Sequence, residues 1–135
     1  MKVTLLNTAS HGREGQAPGL IDGLGRRVTY LRLSVTDRCD LRCTYCMQER
    51  QRFLPKADLL DYDELARLVD AFIARGMTKL RITGGEPLVR QDVMHFLADL
   101  SRRIAPGKLR ELTLTTNGTQ LARHAQELAR IGIKR

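Results

Sequence analysis

The chain has 135 residues, 42% of them hydrophobic, no tryptophan and a formal net charge of +8. That length suits one ordinary domain, and no apolar run approaches the ~20 residues that span a bilayer, so no membrane partner is expected. The basic residues are scattered without a dense Lys/Arg run and aromatic stacking platforms are lacking, so no nucleic-acid partner is expected, and an anionic small molecule accounts equally well for some of the arginines.

In chain order, the apolar part of residues 1–6 is too short for a signal peptide, and Asn7 and Thr8 end it. Free thiols without an export signal point to a reducing cytoplasm. Residues 1–28 carry Gly12, Gly15, Pro18, Gly19, Gly23 and Gly25 among polar residues and read as a mostly irregular leader. The Gly-x-Gly at 23–25 precedes a strand and lacks a third glycine, so it is weak evidence for nucleotide binding.

From residue 29 to 135, which we take as the core domain, strand and helix alternate three times. Strands are predicted at 29–35, 79–83 and 111–116. A helix at 62–75 starts from Asp61, with Glu64 in the capping-box position, and stops at Gly76. Its apolar residues Leu65, Leu68, Val69, Phe72 and Ile73 keep helical spacing. A second helix at 91–103 shows Val93, Phe96, Leu97 and Leu100 on one face. A third at 120–131 shows Leu121, Ala125, Leu128 and Ala129 before Gly132. The order β-α-β-α-β-α implies an α/β fold with parallel strands and right-handed crossovers.

Buried parallel strands usually read as continuous apolar runs, but these alternate. Leu31, Leu33 and Val35 share one face with Leu80, Ile82, Leu112 and Leu114. Tyr30, Arg32, Ser34, Lys79, Arg81, Thr83, Glu111, Thr113 and Thr115 share the other. One face packs on helices, so the polar face reads as the concave side of an open half-barrel that holds a charged ligand. The chain stops after a helix stop and Ile133, where a fourth strand would begin, and is expected to be the front portion of a longer protein. The last strand would then present an unpaired edge, which makes a homodimer one expectation.

Three loops leave the C-terminal ends of the strands, where α/β folds place their sites. The first carries the chain's three cysteines, Cys39, Cys43 and Cys46, spaced C-x₃-C-x₂-C. An odd count at this spacing does not suit disulfides. Three thiolates can hold three corners of a four-iron cluster, which normally takes four, leaving one iron open to a substrate or cofactor. A zinc knuckle is the alternative, but no further His or Cys follows before His95. Tyr45 lies between two of the ligands. The second loop is Thr83-Gly84-Gly85-Glu86-Pro87, whose glycines allow close approach of the backbone to a ligand and whose Glu86 carboxylate suits an ammonium group. The third is Thr115-Thr116-Asn117-Gly118, an ordinary turn pair that lands on the same rim. His11, His95 and His124 match no motif and read as surface or packing residues.

The run from Tyr30 to Cys39, the three-cysteine loop, the run from Arg81 to Arg90 and Thr115-Thr116-Asn117-Gly118 together resemble radical S-adenosylmethionine enzymes, over residues 22–135. Within them the sequence is most similar to the GTP 3′,8-cyclases of molybdenum cofactor biosynthesis. The resemblance implies the first half of a partial (β/α)6 barrel and a [4Fe-4S] cluster on Cys39, Cys43 and Cys46. It implies S-adenosylmethionine contacts at Tyr45 and Gly85, helped by Gly84 and Glu86, and GTP contacts at Arg32, Arg81, Thr115 and Lys79. The implied chemistry is a 5′-deoxyadenosyl radical that abstracts hydrogen from C3′ of GTP, after which C3′ attacks C8 of guanine to give 3′,8-cyclo-7,8-dihydro-GTP. An electron donor is also implied, as is a second cluster in a C-terminal part that this chain lacks. Asp40 and Gln48 depart from the family pattern, which has Asn and Pro there. Another radical S-adenosylmethionine enzyme, such as a peptide-modifying maturase, and an inactive metal-binding fragment remain as alternatives.

Overall fold

A computed structural model describes residues 3–6, 19–46 and 52–133. The remaining positions, including His11, Gln48 and most of the expected leader, lie outside the described residues. One four-stranded sheet runs in the order β1 (Val3–Leu6), β2 (Tyr30–Ser34), β3 (Lys79–Thr83), β4 (Glu111–Leu114). The three expected strands are parallel and in register, so that Leu31, Leu80 and Leu112 form one row and Arg32, Arg81 and Thr113 the next.

β1 places a short strand within the stretch expected to be mostly irregular. Val3–Leu6 pairs antiparallel with β2 and closes that edge of the sheet. Four residues suffice for this because an antiparallel edge strand needs no crossover helix, and so short a run carries little sequence signal. Across the described residues the opposite edge, on β4, has no strand beside it.

The helices follow their capping signals. α1 (Tyr62–Ile73) opens on a complete capping box: Glu64 N donates to Asp61 Oδ1 at 2.7 Å, and Asp61 N donates to Glu64 Oε2 at 2.9 Å. It ends two residues earlier than expected, and Gly76, at φ +91°, turns the chain away. α2 (Val93–Ser101) begins after Asp92, whose left-handed φ of 59° excludes residues 91 and 92 from the helix. α3 (Leu121–Arg130) buries only Leu128 on its expected apolar face and leaves Leu121 exposed.

Leu31, Leu33, Val35, Leu80, Ile82 and Leu112 pack under Leu65, Val69, Phe96, Leu97 and Leu100 as one core. The polar face is less wet than the alternation suggests. Arg32, Ser34, Arg81 and Thr83 are half-buried and Thr113 is buried. Among the described residues no helix is long and apolar enough to cross a membrane. His95 is exposed and His124 half-buried.

Candidate active site at the C-terminal rim of the sheet

The loops after β2, β3 and β4 are stitched together by hydrogen bonds. Beyond β2 the pairing with β3 continues past the strand ends: Val35 N donates to Thr83 O at 2.9 Å, Gly85 N to Thr36 O at 2.8 Å and Glu86 N to Arg38 O at 2.8 Å. This contact explains the two glycines. A Cβ on Gly84 would stand 2.5 Å from Thr36 O, and one on Gly85 would stand 2.1 Å from Arg38 O. The close approach expected between these glycines and a ligand is thus made, in this structure, to the base of the cysteine loop.

Glu86 also departs from its expected part. It is fully buried, and its Oε1 accepts from Leu88 N and Thr116 Oγ1, both at 2.9 Å, while Oε2 accepts from Asn117 N at 2.6 Å. Its carboxylate caps the short 3-10 turn Pro87–Val89 and ties the second loop to the third. A carboxylate so occupied and so deep does not face an ammonium group. Its part here is that of a scaffold beneath the loops.

The third loop reaches the cysteines. Asn117 Nδ2 donates to Asp40 Oδ1 at 2.8 Å and lies 3.6 Å from Cys39 Sγ. Thr119 Oγ1 donates to Asp40 Oδ2. Hydrogen bonds from Thr119 and then Asn117 hold the Asp40 carboxyl below the usual carboxylate range. The turn pair Asn-Gly was legible, but its hold on a residue 78 positions earlier was not.

Cys39 and Cys43 are half-buried, Cys46 is exposed, and all three thiols are free. Cys46 N donates to Cys43 O at 3.1 Å, so the last two cysteines share one tight turn. Local desolvation, and then the charge of the neighbouring Cys43, push the Cys46 thiol up, and Cys43 followed by Cys46 push the Tyr45 phenol up. Among the described residues no group of three His, Cys, Asp or Glu side chains is gathered as for a single metal ion. Three soft sulfur ligands on one loop suit iron–sulfur chemistry, in which each thiolate serves a different iron. Tyr45 is 89% exposed between the last two cysteines.

On the sheet face below, Arg32 and Arg81 stand side by side on adjacent strands. Arg81 Nε donates to Thr113 Oγ1 at 3.2 Å, and its guanidinium lies 5.8 Å from the Tyr30 ring centroid. Arg32 Nε is buried without a hydrogen-bond partner among the described residues. Thr115 is exposed on the rim just past β4, its N–H still bound to Ile82 O at 2.9 Å. Lys79 stands apart from these. It begins β3 at the end remote from the cysteines and pairs with Glu111 at 3.7 Å.

Arg90 is a residue whose part the sequence did not disclose. Its Nη1 donates to Val35 O at 2.5 Å and its Nη2 to Leu60 O at 2.7 Å, and the guanidinium stacks 4.3 Å from the Tyr62 ring centroid. Tyr62 in turn donates to Gln91 O at 2.7 Å, and burial pushes its phenol up to about 12, so it stays a donor. Cavities of about 370 and 560 Å³ flank Arg90, and no cysteine lines either. Arg90→Lys keeps the charge but loses the planar fork and most of the stacking. We expect it to cost about 1–3 kcal/mol, read as a lower melting temperature. A melting temperature equal to that of the unmodified protein would show that the fork contributes nothing.

The Radical SAM superfamily profile matches residues 33–135. The chain is 58% identical over 128 residues to a GTP 3′,8-cyclase of Bradyrhizobium diazoefficiens, covering 95% of this chain and 37% of that protein. It is 63% identical over 116 residues to proteins of the same description from Brucella ovis and Brucella melitensis, covering 86% of this chain and 34% of each relative. The chain thus spans about a third of the length of the relatives it matches. Superfamily members use a four-iron cluster with S-adenosylmethionine, and the free thiols of the first loop suit such a cluster. On the match over 33–135 and the three-cysteine rim it covers, the chain belongs to the radical S-adenosylmethionine superfamily.

Proposed function

We propose that this chain is the front portion of a GTP 3′,8-cyclase, which converts GTP to 3′,8-cyclo-7,8-dihydro-GTP in the first step of molybdenum cofactor biosynthesis. The observation that carries the reading is the pair Arg32 and Arg81, in register on a half-buried face beneath the three-cysteine loop. Two neighbouring guanidinium groups repel, and a buried Nε without a partner is costly. A triphosphate or guanine acceptor relieves both, and guanidinium suits it through paired N–H donors.

Cys39, Cys43 and Cys46 would hold the cluster and leave one iron for S-adenosylmethionine. When bound, the reduced cluster supplies the electron that releases a 5′-deoxyadenosyl radical. Tyr45 and the backbone at Gly84 and Gly85 would border S-adenosylmethionine. Thr115, with the two arginines, would orient the ribose C3′ toward it, and Lys79 would act only at long range. Residues 29–135 would form the first three β/α units of the barrel, and the rest of the barrel and a second cluster would belong to the other two thirds of the family's length. The working environment would be the reducing cytoplasm, with an external one-electron donor and with neither membrane nor nucleic acid as partner. The uncovered edge of β4 would be met by a further strand or by a second copy.

The test is GTP affinity by equilibrium dialysis. Each of Arg32→Ala and Arg81→Ala is expected to weaken binding about tenfold to a hundredfold, the value of one charge-assisted hydrogen bond. Affinity unchanged in both variants would remove GTP from this face, and binding of another anion with equal strength would favour a different member of the superfamily.

A further inference from the structure

Asn117 is held at three points. Its backbone N–H is donated to Glu86 Oε2, its side-chain Oδ1 accepts from Thr119 N at 3.0 Å and its Nδ2 donates to Asp40 Oδ1, while the one hydroxyl hydrogen of Thr119 goes to Asp40 Oδ2. The Thr119 N–H on one side, and the Asp40 carboxylate on the other, leave a single orientation for the amide. Turned over, it would set its oxygen against Asp40 and its N–H groups against the Thr119 N–H. Nδ2 therefore faces the cysteine loop. One hydrogen goes to Asp40 Oδ1 at 2.8 Å, and the other is directed to Cys39 Sγ at 3.6 Å, a normal reach for the larger sulfur atom.

From this geometry we propose that Asn117 is a positioning residue that sets the reduction potential of the cluster through an N–H···S hydrogen bond to Cys39, with Asp40 and Thr119 fixing its amide. The inference rests on the cluster reading above. The thiol sulfur of Cys39 stands here for the thiolate bound to iron. Hydrogen bonds to ligand sulfur are among the factors that set iron–sulfur potentials, and partners outside the ligand set orient the ligands and tune the metal. A donor at sulfur stabilises the more electron-rich, reduced cluster and so raises its potential. Radical generation needs the reduced form, so the turn after β4 would govern how much of the protein is competent at a given potential of the electron donor. A carboxylate at position 40 forms the charged bond to Nδ2 that locks this donor in place.

The decisive variant exchanges the two side chains, Asp40→Asn together with Asn117→Asp. It keeps the amide–carboxylate pair, the net charge and the acceptor for Thr119, but brings oxygen instead of N–H to Cys39. Asn117→Ala removes the donor without moving a charge. The unmodified chain and both variants would be reconstituted anaerobically with iron and sulfide, assayed for iron per chain, and titrated with a low-potential one-electron reductant under electron paramagnetic resonance. Unmodified iron loading in the exchanged variant, with about a tenfold lower reduced-to-oxidised ratio in both variants at a fixed potential, ~59 mV for one electron, is the expected result. Potentials equal to that of the unmodified chain would overturn the proposal, as would loss of iron from the exchanged variant, which would make Asn117 only a brace for the loop. Absence of a cluster from the unmodified chain would instead overturn the cluster reading, and this proposal with it.

Discussion

Gly85→Ala is expected to unfasten the cysteine loop. The added methyl carbon would sit 2.1 Å from Arg38 O and 2.5 Å from Arg38 C, both backbone atoms that cannot swing aside as a side-chain tip would. Relief requires the two segments to part, which breaks the bonds of Gly85 N to Thr36 O and Glu86 N to Arg38 O. Overpacking of this kind costs about 1–3 kcal/mol, and more where backbone must move. Domains hold only about 5–15 kcal/mol in reserve. The urea midpoint should fall by about 1 M or more at a typical slope, and iron uptake should fall with it, because the displaced segment leads directly into Cys39. An alanine variant with the same midpoint and the same iron content would mean that the loop and the glycine turn are not joined in solution. Gly84→Ala, at 2.5 Å from Thr36 O, should behave in the same way.

The second large effect is expected at Glu86. Glu86→Ala deletes an acceptor shared by two backbone N–H groups and one hydroxyl, and strands the buried Leu88 N–H and the part-buried donors of Thr116 and Asn117. At about 1–3 kcal/mol for the buried donor and less for the two that water can reach, the loss is on the order of 2–4 kcal/mol, a large part of the stability of a marginal chain. Glu86→Gln isolates the chemistry from the volume. Its oxygen can serve either Leu88 N or Asn117 N, but its NH₂ must then face the other N–H, donor against donor. The amide variant should therefore lose about 1–3 kcal/mol although its shape is nearly unchanged. Denaturant unfolding of the two variants checks this ordering, and a glutamine variant as stable as the parent would show that the carboxylate is not the link between the second and third loops.

The features legible in the sequence were those that depend on near neighbours. Alternation of Leu31, Leu33, Leu80 and Ile82 fixed the core face, because side chains in a strand alternate regardless of partner. Asp61 with Glu64 marked the start of α1 through a contact three residues long. The meeting of the three loops followed from parallel strands, which bring equivalent ends to one edge. What stayed hidden depends on distant partners. Glu86 reads as a carboxylate suited to an ammonium group, and its bonds to Thr116 and Asn117, some thirty residues on, give no sequence signal. Gly84 and Gly85 signal a close approach without naming what approaches. Arg90 looks like one more basic residue, although its fork holds Val35 O, 55 positions away. Val3–Leu6 has no period long enough to declare a strand, and only pairing with β2 makes it one.

The account stands on the three cysteines holding a four-iron cluster with one open iron. Its most direct test is the electron paramagnetic resonance spectrum of the anaerobically reconstituted, reduced chain, recorded with and without S-adenosylmethionine. The account predicts a four-iron signal that changes on adding S-adenosylmethionine and is lost when Cys39, Cys43 or Cys46 is replaced by alanine. A chain that takes up no iron, or a cluster whose spectrum is indifferent to S-adenosylmethionine, would contradict it.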